Sequence, residues 1–248
     1  MSGQVAEGAG IPLERVDAVA ELTTAVDRLG ISRGRPVLAL VGGAAGMDET
    51  HLGLVDEVFR SAVIPVLDAC RGAVVDGGTD AGIMQIVGRA RSARGARFPL
   101  VGVAAEGTVA APGGAQVDNG DSAELEPHHT HVILVPGDSW GDESPWLAAV
   151  ASAIAGGEPS ATLVVNGGEI TYSDAEQSLV DGRPVLVLAG TGRTADAVAA
   201  AAAGEHADAR AARIAASPLT RIVDVRDPEV LGRTLMEVLR RSPSERHR

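Results

Sequence analysis

The residues best suited to chemistry in this sequence are glycines and polar side chains that follow short apolar runs. In the clearest case, Gly77 and Gly78 come after an apolar run, Thr79 and Asp80 follow them, and Gly82 opens a helical pattern. Bare glycines let backbone N–H groups approach a bound group. The free N–H groups and the dipole of a helix N-terminus also favour a negative charge. We therefore expect a phosphate-binding turn that includes Gly82, with Thr79 or Asp80 capping the helix.

Glycines also end several other apolar runs. These residues are Gly42 and Gly43, Gly167 and Gly168, and Gly190, Thr191 and Gly192. In open α/β sheets, ligands bind in the crevice beyond the carboxyl ends of the strands. One glycine turn carries little weight, because a tight turn after a strand needs glycine anyway. Four such turns at one edge of a sheet predict a shared site for a phosphate-bearing ligand.

The segment that begins at Gly190 reads G-T-G-R-T-A, which fits a dinucleotide-binding fingerprint of the form G-x-G-x-x-A. The acidic residue expected about twenty positions later has no clear counterpart, since Asp224 lies too far along. A standard NAD redox site is therefore disfavoured. Arg193 stands at a glycine turn and a helix start, so we expect it to bind a phosphate. The alternative is a surface arginine paired with Asp196.

A histidine-rich segment, residues 128–131, raises the question of a metal site. Neighbouring side chains of a strand point to opposite faces, so only His129 and His131 could share one face. Glu124 and Glu126 are near in the sequence but not at an obvious ligand spacing. We therefore predict no metal site and no required cofactor. We take His131 as a pocket residue at a strand entry.

Two carboxylates, Asp142 and Glu143, precede a helix start at Ser144. They are either residues that interact with the helix dipole or carboxylates directed at a sugar, and both interpretations stay open. No G-x-S-x-G elbow is present, so a serine-hydrolase triad is not indicated. Glu143 is the candidate catalytic residue if the protein is an enzyme.

The overall composition limits the classes of partner. The formal net charge is −12, which argues against binding nucleic acid or an anionic membrane surface. The chain has no lysine, which excludes a Schiff-base lysine and a Walker-type lysine. Cys70 is the sole cysteine, so neither an intramolecular disulfide nor a cysteine-based zinc site is expected. With no signal-peptide pattern and no apolar run long enough to span a bilayer, we expect a cytoplasmic protein.

These residues must be positioned by an alternation of strands and helices. Apolar runs predict strands at residues 36–41, 73–76, 99–104, 131–136, 161–166, 184–189 and 221–225. Helical spacing predicts helices within 12–29, 50–70 (with a break at Pro65), 80–94, 144–155, 172–181, 194–216 and 227–241. Residues 105–128 are expected to form a long polar loop. Strands separated by helices predict an α/β, Rossmann-like, doubly wound fold with a mostly parallel sheet of about seven strands.

The chain shows no linker that would divide it into two domains. Residues 1–35 are expected to form a lead-in with an N-terminal helix, residues 36–241 a single Rossmann-like domain, and residues 242–248 a disordered tail. A homo-oligomer is compatible with this organisation, although the sequence does not indicate which faces would form it.

Four segments resemble motifs of a known family. G-G-T-D-A-G-I-M at 77–84 resembles the G-G-x-x-x-G-[IL]-M segment of the SLOG superfamily. E-P-H-H-T-H-V-I-L-V at 126–135 resembles the P-N-H-T-H-F-I-L-V strand of its TRPM-like branch. N-G-G at 166–168 and G-T-G-R-T-A-D at 190–196 resemble the later G-G and G-S-G-R-x-A-D motifs, in the same order. The sequence therefore resembles the prokaryotic TRPM-like branch of that superfamily.

The resemblance implies a Rossmann-like fold that binds nucleotide-derived ligands, a class that includes ADP-ribose in TRPM channels. Prokaryotic members are regarded as sensor domains, so the resemblance favours a ligand sensor that binds a nucleotide-derived small molecule without turnover. Carried over residue by residue, it assigns the phosphates to Gly77, Gly78, Thr79, Gly190, Gly192 and Arg193, with His131 and Glu143 as pocket candidates.

The LOG hydrolases of the same superfamily provide the alternative function. They cleave nucleoside monophosphates at the N-glycosidic bond with a P-G-G-x-G-T-x-x-E loop. This chain has P-G-D-S-W-G-D-E at 136–143, which keeps P-G and a glutamate but replaces the second glycine and the threonine. If hydrolysis occurs, Glu143 would stabilise an oxocarbenium-like transition state near the anomeric carbon. An oligomeric scaffold whose glycine turns are merely structural is a third hypothesis.

Overall fold

The computed structural model describes residues 10–43, 45–110, 122–205 and 208–240. Its strands are β1 (Leu13–Arg15), β2 (Val37–Gly42), β3 (Ala73–Asp76), β4 (Leu100–Ala105), β5 (Val109–Ala110), β6 (Ala123–Glu124), β7 (His131–Val135), β8 (Ser160–Val165), β9 (Val185–Ala189) and β10 (Thr220–Asp224). Eight of them form one sheet in the order β1-β7-β4-β3-β2-β8-β9-β10, and β5 pairs with β6. Neighbouring strands of the large sheet run parallel.

The helices follow the strands along the chain. They are α1 (Leu22–Arg28), α2 (Glu49–Val58), α3 (Ile64–Cys70), α4 (Gly82–Ala93), α5 (Ser144–Ala155), α6 (Glu169–Val180), α7 (Arg193–Ala202), α8 (Ala209–Ala216) and α9 (Pro228–Val238). A π-helical segment, Phe59–Val63, joins α2 to α3, and Pro65 lies in the first turn of α3. This segment is the predicted break, since proline cannot donate the hydrogen bond that would continue a regular helix. Across the described ranges, the helices are too short or too polar to traverse a bilayer.

The central strands are apolar on both faces, which is why helices cover both sides of the sheet. In β2, Val37 and Val41 pack in one hydrophobic cluster with α1, α5, α6, α7 and α8. Leu38 and Leu40 pack on the opposite face with α2, α3, α4 and α9. Continuous runs of valine and leucine are typical of parallel strands that are buried on both faces. The predicted α/β, doubly wound, Rossmann-like fold is therefore confirmed.

The sheet has one strand more than predicted, because the N-terminal segment contains a strand where the apolar spacing predicts only a helix. Residues 12–29 have near-helical apolar spacing, but Leu13–Arg15 is extended and pairs with β7, with Leu13 opposite Val132. The helix begins only at Leu22. An edge strand has unpaired backbone groups, and the short β1 pairs with those of β7. This strand thus shares the sheet with the predicted domain at 36–241, whereas the predicted tail at 242–248 and residues 111–121 of the predicted loop lie outside the described residues.

The strand order places a topological switch at the centre of the sheet. The chain passes from β2 to β3 on one side, and β8 lies on the other side of β2. Such a switch leaves a crevice at the carboxyl ends of the strands, where the following helices begin. The structure starts α6 at Glu169, three residues earlier than predicted, so the first turn of α6 also reaches this edge.

Candidate functional site

A cleft of about 260 Å³ opens at the carboxyl ends of the strands, beside the switch between β2 and β8. Several turns after the strands converge there, as predicted. The predicted residues that line the cleft are Gly42, Gly43, Gly77, Thr79, Glu143, Gly167, Gly168 and Arg193. The remaining walls are mainly apolar or acidic, and residues from α5 and α6 contribute to them.

Two of the lining glycines are required by the backbone of the cleft floor. Gly42 has a φ of +130°, and a Cβ there would lie 1.9 Å from the carbonyl oxygen of Val165. Gly167 has a φ of +95°, and its Cβ would lie 2.5 Å from Oγ1 of Thr171. Residues other than glycine rarely adopt such φ values. These two glycines let β2, β8 and the start of α6 approach one another.

One part of the turn after β3 lines the cleft, and another part packs against the sheet. Gly77 and Thr79 line the cleft. Gly78 instead packs against β4, since a Cβ on it would lie 2.8 Å from the Cα of Gly102. Gly82 is the first residue of α4 and does not line the cleft.

The predicted cap of α4 is wrong. The N-cap residue is Ala81, and no side chain caps it. Thr79 is buried, and its backbone forms an isolated antiparallel bridge with that of Leu125. Asp80 accepts a hydrogen bond from Nε2 of Gln85 at 2.8 Å instead. The free N–H groups at the start of α4 are therefore not satisfied by a capping side chain.

The Gly190–Gly192 turn shapes the neighbouring loop without lining the cleft. Thr191 is buried, and its hydroxyl accepts from the N–H of Asn166 at 2.8 Å and donates to the carbonyl of Leu188 at 2.7 Å. Nδ2 of Asn166 donates to the carbonyl of Thr191 at 2.6 Å. A Cβ at Gly192 would lie 3.2 Å from that same Nδ2. The positions of these residues therefore do not support the predicted phosphate contacts. They support a structural role instead, since Thr191 holds Asn166 in place.

His131 lies at the wrong end of its strand for the predicted pocket role. It is the first residue of β7, and the strand runs from it toward the cleft edge, so it is Val135 that reaches that edge. Nδ1 of His131 lies 2.7 Å from the hydroxyl of Thr130. Burial lowers the pKa of its imidazole.

Arg193 is a cation that enters the cleft without a partner. It is the first residue of α7 and has a φ of +49°. A Cβ at Gly168 would lie 3.1 Å from Nη2 of Arg193, so the missing side chain of Gly168 leaves room for the guanidinium. The predicted alternative pairing does not occur, because Asp196 accepts from the N–H of Gly190 at 2.6 Å. Within the described ranges, no carboxylate lies within ion-pair distance of Arg193.

Helix N-termini add further positive potential to the same edge. The N-cap residues of α6 and α7 are Gly168 and Gly192, and neither has a side chain that can accept from the first N–H groups. Each helix N-terminus carries a partial positive charge that stabilises a nearby anion by about 0.3–1 kcal/mol. Arg193 and these helix ends together form the electropositive side of the cleft.

Three carboxylates line the cleft: Glu143, Asp174 and Glu169, which opens α6 and lies 3.5 Å from Nη1 of Arg210. Glu143 is the N-cap residue of α5, and its Oε2 accepts from the N–H of Gly141 at 2.9 Å. Burial raises the pKa of Glu143. Asp142 does not face the cleft: its Oδ2 accepts from the N–H groups of Asp138 and Ser139, at 3.1 Å each. Asp142 therefore closes a turn, whereas Glu143 lines the cleft at the start of α5.

Asp174 is a cleft residue that sequence reasoning missed. Burial, together with the negative charge of Glu143, raises its pKa to about 6, while the Ser144 hydroxyl acts in the opposite direction. Its Oδ1 is buried and has no hydrogen-bond partner among the described residues. The spacing along α6 could have indicated this residue. Asp174 lies four residues after Ile170 and three after Thr171, so all three share one face of the helix, and all three line the cleft. Because the helix was predicted to begin at residue 172, Ile170 and Thr171 fell outside it, and the shared face could not be recognised.

A buried charge network supports the turn after β3. Nε2 of His129 lies 2.7 Å from Oδ1 of Asp76, and its Nδ1 lies 2.8 Å from Oε2 of Glu126. Burial alone would lower the pKa of His129, but the two carboxylates raise it to about 9. At neutral pH the imidazolium therefore donates to both carboxylates. Within the described part of the chain, no three His, Cys, Asp or Glu side chains are grouped so that they could hold a metal ion.

The same network fixes the backbone of Gly78. Oδ1 of Asp76 accepts from the N–H of Gly78 at 2.8 Å, and the N–H of Glu126 donates to the carbonyl of Gly78 at 2.9 Å. In the histidine-rich segment, it is therefore His129 that stabilises the turn, through Asp76 and Glu126, and His131 takes no part in this network.

Comparison with known families adds an independent finding. A family model described as "SLOG in TRPM, prokaryote" matches residues 35–231, which include both sides of the cleft and the four motif segments. A search of curated proteins found no matching relative. Membership of this family supports a nucleotide-related role, either in binding or in LOG-like chemistry. Since the match covers most of the chain, the protein belongs to the prokaryotic family of SLOG domains related to those of TRPM channels.

Proposed function

We propose that the protein binds a nucleotide-derived ligand, ADP-ribose or a close relative, in the cleft at the carboxyl edge of the sheet. The observation that carries this proposal is the unpaired guanidinium of Arg193, which lies beside the bare backbone of Gly168 and the N-termini of α6 and α7. An unpaired cation next to free N–H groups is suited to a phosphate.

The local charges explain how a chain with a net charge of −12 could hold an anion. A phosphate at Arg193 would gain a charge-assisted hydrogen bond, worth about 1.5–3 kcal/mol. It would also face the positive ends of two helices. The rest of the surface, which is acidic on balance, would not attract nucleic acid.

The apolar wall of the cleft is suited to a nucleobase. Leu40, Met84 and Leu147 line it, and Trp140 stands at its mouth with 47% of its surface exposed. An exposed aromatic ring beside an apolar wall offers a stacking surface for a base. The volume of about 260 Å³ is close to the lower end of small-molecule sites, about 300–1,000 Å³.

Hydrolysis of a nucleotide N-glycosidic bond is the second candidate function. The specific observation in its favour is that Glu143 and Asp174 place two carboxylates in one cleft, and that burial raises the pKa of each. Glycoside hydrolysis uses a pair of carboxyl groups, of which one has a raised pKa and donates a proton to the leaving group. The loop that carries Glu143 lacks the second glycine and the threonine of the LOG pattern, so we favour binding without turnover.

A calorimetric titration with ADP-ribose and with AMP, followed by recovery of the ligand, tests both functions. Binding of ADP-ribose with recovery of intact ligand would support the sensor function. Release of ribose 5-phosphate from AMP would favour the hydrolase, and Glu143→Gln should then abolish release. Absence of heat with both ligands would refute the proposal.

A further inference from the structure

One acceptor in the wall of the cleft lacks a donor. Among the described residues, three buried side-chain atoms have no hydrogen-bond partner: Oδ2 of Asp76, Oδ1 of Asp174 and Nη1 of Arg183. Only Asp174 belongs to the residues that line the cleft. A buried acceptor without a donor is costly, so a donor from outside the protein is expected at this position.

A second carboxylate lies in the wall of the same cleft. It belongs to Glu143, whose Oε2 accepts from the N–H of Gly141 at 2.9 Å. Glu143 and Asp174 line one cleft, and the negative charge of Glu143 contributes to the raised pKa of Asp174. The acidic side of the cleft therefore presents the unpartnered Oδ1 of Asp174 together with a second carboxylate, that of Glu143.

The charges decide which chemical groups fit there. A phosphate would be repelled by Glu143 and Asp174, so it belongs at the Arg193 side. A divalent cation would need more oxygen or nitrogen ligands than this pair, and no group of three such side chains occurs in the described ranges. Hydroxyl groups remain, because they are neutral, and because they donate well to carboxylates.

We propose that Asp174, together with Glu143, accepts hydrogen bonds from adjacent hydroxyl groups of a ribose ring in the bound ligand. This inference rests on the proposed function, because it assigns one part of the same ligand. Asp174 lies five residues along α6 from Glu169, roughly 7–8 Å from the start of the helix at the rise of an α-helix. That separation is close to the length of a pentose with its 5-phosphate, so the phosphate at the helix start and the hydroxyls at Asp174 are compatible.

The test compares ADP-ribose with analogues that lack one hydroxyl, in calorimetric titrations of the full chain. The analogues are 2′-deoxy in the adenosine ribose or 2″-deoxy in the terminal ribose. For the wild type, we expect one analogue to bind about tenfold or more weakly than ADP-ribose, since a hydrogen bond to a charged group is lost. That difference should fall below about twofold in Asp174→Ala or in Glu143→Ala, according to which carboxylate accepts from that hydroxyl, because the acceptor is gone. Asp181→Ala, an exposed aspartate at the end of the same helix, is the matched control and should keep the difference.

Several outcomes would overturn the inference. Equal binding of ADP-ribose and both analogues by the wild type would refute it and leave the proposed function intact, and this comparison does not depend on the folding of any variant. A difference that persists both in Asp174→Ala and in Glu143→Ala would assign the hydroxyl to another residue. A loss of affinity on replacing adenine by hypoxanthine, with no effect of deoxygenation, would assign the acceptors to the base amine. Failure of ADP-ribose and AMP to bind at all would refute the proposed function and this inference together.

Discussion

Asp174 should make the free protein less stable at neutral pH than it would be with a neutral side chain. In the folded chain, burial raises the pKa of Asp174 from 3.8 to about 6. At about 1.4 kcal/mol per pKa unit, ionisation of the buried carboxyl costs up to about 3 kcal/mol of unfolding free energy. Asp174→Asn removes the ionisation and keeps the shape of the side chain, so it should stabilise the ligand-free protein by up to about 3 kcal/mol at pH 7.5.

The pH dependence follows from linkage. Between pH 3.8 and 6 the folded carboxyl holds its proton while the unfolded one releases it, so the stability of the wild type falls as the pH rises. The cost is complete above about pH 6. The gain from Asp174→Asn should therefore be about half as large at pH 5 as at pH 7.5. For a chain of 248 residues, a gain of about 3 kcal/mol corresponds to a rise in Tm of roughly 6–12 °C.

Thermal and urea unfolding of the wild type and of Asp174→Asn at pH 5 and pH 7.5 measure this effect. Asp181→Asn is the matched control, because the exposed Asp181 should change the unfolding free energy by less than about 0.5 kcal/mol at either pH. A gain of equal size at both pH values, or a loss at pH 7.5, would refute the reasoning. In that case the Asp174 carboxylate would have hydrogen-bond donors within the protein and would not need a donor from a ligand.

Three further predictions concern other parts of the site. His129→Gln should lower the free energy of unfolding by about 3–5 kcal/mol at pH 7 in urea titrations, because it removes the imidazolium that bridges two buried carboxylates, whereas His51→Gln at the surface should have little effect. In the wild type this contribution should be complete below pH 6.5 and be lost as the pH rises through about 9. Gly42→Ala should yield little folded protein on expression, because its Cβ would lie 1.9 Å from a carbonyl oxygen, whereas Gly46→Ala, which has open space and a φ of +79°, should cost only about 1 kcal/mol. Trp140→Ala should weaken nucleotide binding by roughly 5- to 150-fold in calorimetric titrations if the ring stacks on the base.

Each of these predictions has a contradicting result. Equal urea midpoints for His129→Gln and the wild type would show that the bridge between the carboxylates contributes nothing. Normal folding of Gly42→Ala would mean that the cleft floor can move. Unchanged affinity in Trp140→Ala would place the base elsewhere in the cleft.

Much of the cleft at the carboxyl edge of the sheet could be predicted from the sequence, because the topology of a parallel α/β fold restricts where the turns after the strands can lie. Once strands and helices alternate, the turns after the strands must meet at one edge, so Gly42, Gly77 and Gly167 come together. Arg193 follows from the same argument, since it stands where a strand ends and a helix begins.

The positions of other residues could not be predicted, because they depend on where each helix or strand begins and on the direction in which it runs. His131 was expected in the pocket, but it is the first residue of β7 and lies at the opposite end of that strand from the cleft. Asp174 became visible only when α6 was seen to begin at Glu169. Leu13 fits the spacing of a helix and of a strand equally well, and only the unpaired edge of β7 decides between them.

The central claim is that the cleft binds the phosphate of a nucleotide-derived ligand through Arg193. Calorimetric titration of ADP-ribose into the wild type, Arg193→Ala and the control Arg94→Ala, an exposed arginine at the far end of α4, tests it most directly. We expect the affinity to fall about 10- to 150-fold in Arg193→Ala, the equivalent of one charge-assisted hydrogen bond, and to be unchanged in Arg94→Ala. Equal affinities for all three proteins, or no binding by the wild type, would contradict the claim.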